Sequence, residues 1–148
     1  MYTRILVGVD GSETSLLGLN EAIQLAKATK GKLLLVHVVN EMISAEIVAY
    51  EKVLESLRQG GTEILEKAVA QVRGSEVACE HKLLEALGER PADLIVKEAK
   101  AWPADLIVLG THGRKGLKRL ALGSDAELVL RMSPVPLLLV RNQPEASQ

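Results

Sequence analysis

The sequence contains no phenylalanine, and its aromatic residues are Tyr2, Tyr50 and Trp102 alone. Gripping a single strand of nucleic acid takes a row of exposed rings on which bases stack, so this chain is not built for that task. Cysteine is as scarce: Cys79 has no second thiol to join. No intrachain disulfide can form, and a cytoplasmic, reducing setting is expected. His37, His81 and His112 lack metal-ligand spacing, so no resident metal site is expected. No apolar run reaches the ~18 residues of a membrane span. The opening "MYTRILVGVD" enters a strand pattern directly, without the layered plan of a signal peptide. The net charge is −1, so no global field attracts nucleic acid or an anionic membrane. Any anion has to be held by a local patch.

What is present suits one α/β domain. The 148 residues are 47% apolar and 25% charged, enough to bury a single substantial core. "TRILVGVD" is a continuous apolar, β-branched run, which predicts a strand buried on both faces. Ser12 is placed to cap a helix whose apolar positions are Leu16, Leu19, Ile23 and Ala26, with Gly31 ending it. "KLLLVHVVN" predicts a second buried strand, with His37 packed inside. Helical spacing then runs from Ser44 to Arg73, and Gly60-Gly61 predicts a break or bend within it. "EVACEHKLLEA" is a more polar strand, and Pro91 suits the first turn of a helix reaching about Ala101. "ADLIVLG" is the fourth strand, a helix spans about Ser124 to Met132, and "PVPLLLVR" is the fifth strand. Residues 142–148 form a polar tail expected to fray.

The pentapeptide "ADLIV" occurs twice, at Ala92–Val96 and at Ala104–Val108. Pro91 and the continuing period through Ala99 predict helix for the first copy. Pro103 and Gly110 bound the second and predict strand.

Strands alternating with helices imply a parallel sheet covered on both faces. The polar third strand suits one edge, and Pro134-Val135-Pro136 places the fifth at the other. The expected fold is an open, doubly wound, five-stranded parallel sheet of order 3-2-1-4-5, Rossmann-like. Winding then reverses between strands one and four, and ligands of such sheets bind outside the strand ends at the reversal. Asp10-Gly11-Ser12 and Gly110-Thr111-His112-Gly113 fall there.

The second of these segments opens "GTHGRKGLKRLALGSDAE", with four glycines and the cations Arg114, Lys115, Lys118 and Arg119. Glycines let backbone N–H groups approach a ligand, and a following helix N-terminus adds positive field, which together suit phosphate. Neither the Walker pattern nor the dinucleotide G-x-G-x-x-G is present. The spacing Gly110-x2-Gly113-x9-Gly123-Ser124 instead resembles the signature of the universal stress protein family, in its nucleotide-binding branch. "ILVGVDGSETS", "LLLVHVV" and "SPVPLLLVR" resemble that family's first, second and last strands, so the resemblance covers the whole chain as one domain.

The resemblance implies an adenine nucleotide, ATP, ADP or AMP, with Mg²⁺ as companion. It carries ligand contacts onto Asp10, Val38, Gly110, Gly113, Gly123 and Ser124, with Val9, Leu109 and Arg114 as neighbours. It also implies a homodimer through the last strand, Val135 to Val140, and a role in stress response. Many ATP-binding members follow the Gly-Ser with a small or apolar residue; here Asp125 stands there, and a carboxylate beside a triphosphate repels it unless a metal or an arginine intervenes.

Plainer roles compete at several of these positions. Ser124 with Glu127 fits a capping box, and Asp125 favours a helix start. Asp10 can cap the turn before the first helix. Cys79 and Trp102 read as packing residues. His112 has no nucleophile or orienting carboxylate evident beside it, so no catalytic residue is assigned. The alternatives are a slow ATPase, with Asp10, His112 or Asp125 handling water, and a nucleotide-free signalling dimer of the same fold. A phospho-receiver domain fits poorly, because Asp10 stands alone and the fifth strand ends in Arg141 rather than lysine.

Overall fold

The computed structural model describes residues 1–40, 50–112 and 122–142. The elements are β1 (Arg4–Gly8), α1 (Glu13–Thr29), β2 (Lys32–Asn40), α2 (Tyr50–Arg73), β3 (Ala78–Ala86), α3 (Pro91–Ala101), β4 (Leu106–Gly110), α4 (Ser124–Met132) and β5 (Leu137–Val140). They build one five-stranded sheet of order β3-β2-β1-β4-β5 in which every pairing is parallel. This is the doubly wound order expected, and its reversal lies between β1 and β4.

Alternation along the strands divides the core between two faces. Ile5 and Val7 of β1 join Leu33 and Leu35 of β2 beneath α1 and α2, where Leu19, Ile23, Leu65 and Val72 pack. Leu6, Leu34 and Val36 face the other way, against Ile95, Val96 and Val129 of α3 and α4. Helices therefore cover both faces. Each fully buried aliphatic side chain contributes about 1.5–3 kcal/mol of transfer free energy.

The repeated pentapeptide shows context overriding composition. In α3, Asp93 accepts from the Arg90 backbone amide at 3.3 Å and from its guanidinium at 3.0 Å, which closes the helix start behind Pro91. In the second copy, Asp105 accepts the backbone amides of Thr3 at 3.0 Å and Arg4 at 3.1 Å, which aligns β4 with β1.

Four local expectations are corrected. Gly31 does not supply the left-handed end of α1; Lys30 does, at φ 58°. Gly31 is small for another reason, since a Cβ there would lie 2.9 Å from the Thr3 backbone. Leu16 is 46% exposed, so it does not belong to the core. Gly60-Gly61 does not break α2: one helix runs through both, and Gly61 is pressed against His37 and Leu83 of the sheet. Ser124 and Glu127 form no capping box. Gly123 is the N-cap, Ser124 is the first helical residue, and Glu127 pairs with Arg131 at 3.0 Å. The part of the second helix expected at residues 44–49 lies outside the described residues.

Candidate functional site

β1 and β4 are neighbours, and the connections leaving their carboxyl ends go to opposite faces of the sheet. A crevice opens between two such turns. One wall is the β1–α1 turn. Gly11 takes φ 82°, a conformation open to glycine, and turns the chain so that Asp10 Oδ1 accepts the Ser12 amide at 2.8 Å. The Asp10 amide donates to Ser15 Oγ at 3.0 Å. Ser12 caps α1 by accepting the Ser15 amide at 3.2 Å, as its position in the sequence predicts.

The other wall is the end of β4. Gly110 is glycine because α1 crosses it closely: a Cβ would meet the Thr14 carbonyl carbon at 2.7 Å and the Ser15 nitrogen at 2.8 Å. Thr14 Oγ1 donates to the His112 carbonyl at 2.6 Å, and Ser12 Oγ reaches the same oxygen at 3.3 Å. The two walls are thus joined by hydroxyls. The Thr111 amide donates to Val140 O at 2.9 Å, and its carbonyl accepts the Gly123 amide at 2.6 Å. That bond brings the start of α4 to the same end of the sheet. There the Ser124, Asp125 and Ala126 amides have no intrahelical acceptor, the usual state of a first helical turn.

Two polar atoms of the β4 end, Thr111 Oγ1 and His112 Nδ1, are buried without a hydrogen-bond partner. Thr111 is only 9% exposed. Burying a polar group unsatisfied costs about 1–3 kcal/mol, so such atoms mark where a further donor or acceptor fits.

The Asp125 carboxyl is pushed above the usual aspartate value, first by desolvation at the crevice and second by the Asp10 carboxylate. The Asp10 and Asp125 carboxylates therefore act on each other at this end of the sheet. Among the described residues, no group of three or more His, Cys, Asp or Glu side chains could hold a metal ion. No helix among them is long and apolar enough to cross a membrane.

The candidate residues reach this place unequally. Asp10, Gly110, Gly123, Ser124 and Asp125 lie on the turns and helix start that form it. Val38 lies on β2 beyond the last β1–β2 pair, Gly8 with Val36, and packs partly buried on the α3–α4 face. Val9 turns its side chain into the α1–α2 core, and its carbonyl is occupied by His37 Nδ1 at 2.7 Å. Leu109 is buried, with its side chain over Gly8. Gly113 and Arg114, with the other loop cations, lie outside the described residues. Sequence reasoning missed Thr14 and Ser15, and placed Thr111 at the reversal without giving its hydroxyl a role. The available signal was hydroxyl residues one turn after Asp-Gly-Ser and directly after Gly110.

These features define the class: a doubly wound α/β protein whose crevice is made by two turns and a helix start at the winding reversal. Comparison with known proteins narrows it. The sequence model of the universal stress protein family matches residues 1–141. The chain belongs to the universal stress protein family. It is 34% identical to a universal stress protein of Methanocaldococcus jannaschii, over 95% of this chain and 83% of the relative. Among solved structures, a universal stress protein in complex with cAMP superposes with a TM-score of 0.72 at 26% identity, covering 96% of this chain and 99% of that one. The Archaeoglobus fulgidus universal stress protein in complex with dAMP gives a TM-score of 0.68 at 26% identity, covering 94% of this chain and 98% of that one.

Proposed function

We propose that this universal stress protein binds an adenine nucleotide in the crevice between the β1–α1 turn and the start of α4. The observation that carries the reading is the convergence of Asp10, Gly110 and Gly123-Ser124 at one end of the sheet, beside the orphaned Thr111 hydroxyl and His112 Nδ1. The complexes of related proteins with cAMP and dAMP support the choice of adenine nucleotide. Asp10 and Val38 meet the nucleoside, while Gly113, Gly123, Ser124 and Arg114 take ribose and phosphates. Mg²⁺ entering with the phosphates supplies the charge that two facing carboxylates demand. The protein is a cytoplasmic stress-response module and pairs with a second copy through the Val135–Val140 edge. Support for pairing comes from β5 itself, an edge strand on which Leu138 is 37% exposed.

Isothermal titration of nucleotide-stripped protein with ATP, ADP and AMP, each with Mg²⁺, tests the reading. Saturable binding that weakens in Asp10→Ala supports it; no binding of any of the three at millimolar ligand overturns it. Sedimentation at the same concentrations tests the dimer. Phosphate release that survives Asp10→Ala unchanged would assign apparent ATPase activity to a contaminant.

A further inference from the structure

His37 and the Gly60-Gly61 pair are explained neither by strand and helix propensity nor by the ligand contacts above. The structure joins them. Gly60 faces open space, with nothing within 4 Å of a Cβ built on it. Gly61 is the opposite case: a Cβ would lie 2.7 Å from His37 Cδ2, 3.3 Å from His37 Nε2 and 2.8 Å from Leu83 Cδ1. The backbone of α2 therefore rests on the imidazole edge, and only glycine allows that approach.

The other side of the ring faces β1. His37 is buried, and its Nδ1 lies 2.7 Å from the Val9 carbonyl oxygen. A carbonyl only accepts, so Nδ1 carries the proton. The position of this bond gives it meaning. Regular β1–β2 pairing ends at Gly8 and Val36, and the Val9 amide then donates to Val36 O at 2.8 Å. Beyond this point β1 leaves the sheet, and the Val9 carbonyl would lose its partner in a buried place. The His37 side chain replaces the missing backbone donor. Val9 is thereby held by β2 at both its amide and its carbonyl, and the next residue is Asp10.

We infer that His37 is a positioning residue for the crevice: its Nδ1–H fixes the Val9–Asp10 peptide, and Gly61 of α2 fixes His37. The inference rests on the nucleotide reading for its functional consequence. It makes α2, which is no wall of the crevice, a determinant of affinity through the chain Gly61, His37, Val9, Asp10.

Three variants test it. In His37→Asn the amide nitrogen can take the place of Nδ1, whereas in His37→Gln the donor sits one bond further out. Gly61→Ala pushes the ring without touching the crevice. Titration with ATP and Mg²⁺ is expected to leave His37→Asn within about threefold of the parent, and to weaken His37→Gln and Gly61→Ala by about tenfold, the worth of one buried hydrogen bond. Melting curves recorded alongside show that each variant is folded. Parental affinity in His37→Gln, or equal losses in the folded Asn and Gln variants, would overturn the inference.

A second readout needs no nucleotide. Long-range ¹⁵N–¹H spectra should show the Nδ1-protonated tautomer of His37, and Gly61→Ala should shift the Asp10 and Gly11 amide resonances. An Nε2-protonated ring, or Asp10 and Gly11 amides unmoved by Gly61→Ala, would also overturn it. If the parent protein binds no adenine nucleotide, the nucleotide reading falls, and these spectra still decide the positioning role.

Discussion

The Thr14 hydroxyl donates to the His112 carbonyl at 2.6 Å, and this bond ties the first turn of α1 to the end of β4. The contact exists because Gly110, two residues earlier, lets the α1 backbone come close. The first turn of α1 and the end of β4 are therefore clamped together, and the clamp depends on a missing side chain.

Gly110→Ala tests the clamp. The added Cβ would sit 2.7 Å from the Thr14 carbonyl carbon and 2.8 Å from the Ser15 nitrogen, and backbone cannot swing aside as a side chain can. Overpacking of this kind costs about 1–3 kcal/mol. Urea unfolding should show that loss, and a variant as stable as the parent would contradict the close approach.

Asp125→Asn separates helix capping from crevice electrostatics. Desolvation and the Asp10 carboxylate raise the Asp125 carboxyl in the folded protein. A carboxyl raised on folding binds more protons folded than unfolded, so it favours the fold below the usual aspartate value and loses that advantage as pH rises through the folded value. Stability measured across the mildly acid range should therefore favour the Asn variant increasingly as pH rises. ATP affinity at neutral pH should increase in the same variant, by about threefold or more, as one repelling charge is removed. A pH-independent difference, or weaker ATP binding, would show that Asp125 is not in conflict with Asp10.

At the opposite end of the sheet, the Arg4 guanidinium lies 4.2 Å from the centre of the Trp102 ring and donates to Pro103 O at 3.0 Å. A second donation goes to the Trp102 carbonyl. Arg4→Ala should cost about 1–2 kcal/mol in chemical denaturation. Arg4→Lys should recover only part of this, because an ammonium cannot stack its plane on the ring and serve both carbonyls. Full recovery by lysine would reduce the contact to simple charge.

Cys79 should be chemically quiet. Burial, and after it the neighbouring Glu80 carboxylate, push its thiol up to about 11 against the opposing charge of Arg73. The thiolate is the reactive form, so alkylation of the folded protein by iodoacetamide should be at least about tenfold slower than in urea between about pH 7 and pH 9. Equal rates would show that the β3 thiol is not shielded.

Much of this protein was legible from sequence because its signals are local and repeated. Continuous apolar runs identified strands covered on both faces. The polar run Glu80-His81-Lys82 and the prolines Pro134 and Pro136 placed the two edges, and edges with alternation determine the order. Ser12 announced its helix start, and the glycine spacing from Gly110 to Gly123 announced the family. Tertiary structure decided the rest, where a residue's role depends on what lies across space. Gly31, Gly61 and Gly110 look like turn or hinge residues in sequence, yet each is glycine because backbone or a ring passes within 3 Å of the missing Cβ. Ser124 and Glu127 carry capping-box spacing, but the Thr111 carbonyl takes the Gly123 amide, Gly123 becomes the cap, and Glu127 turns to Arg131. His37 reads as a packed strand residue, and only the departure of β1 from the sheet gives its Nδ1 a carbonyl to hold. Periodicity reports how a segment meets its own neighbours; close approach between distant segments leaves no period to read.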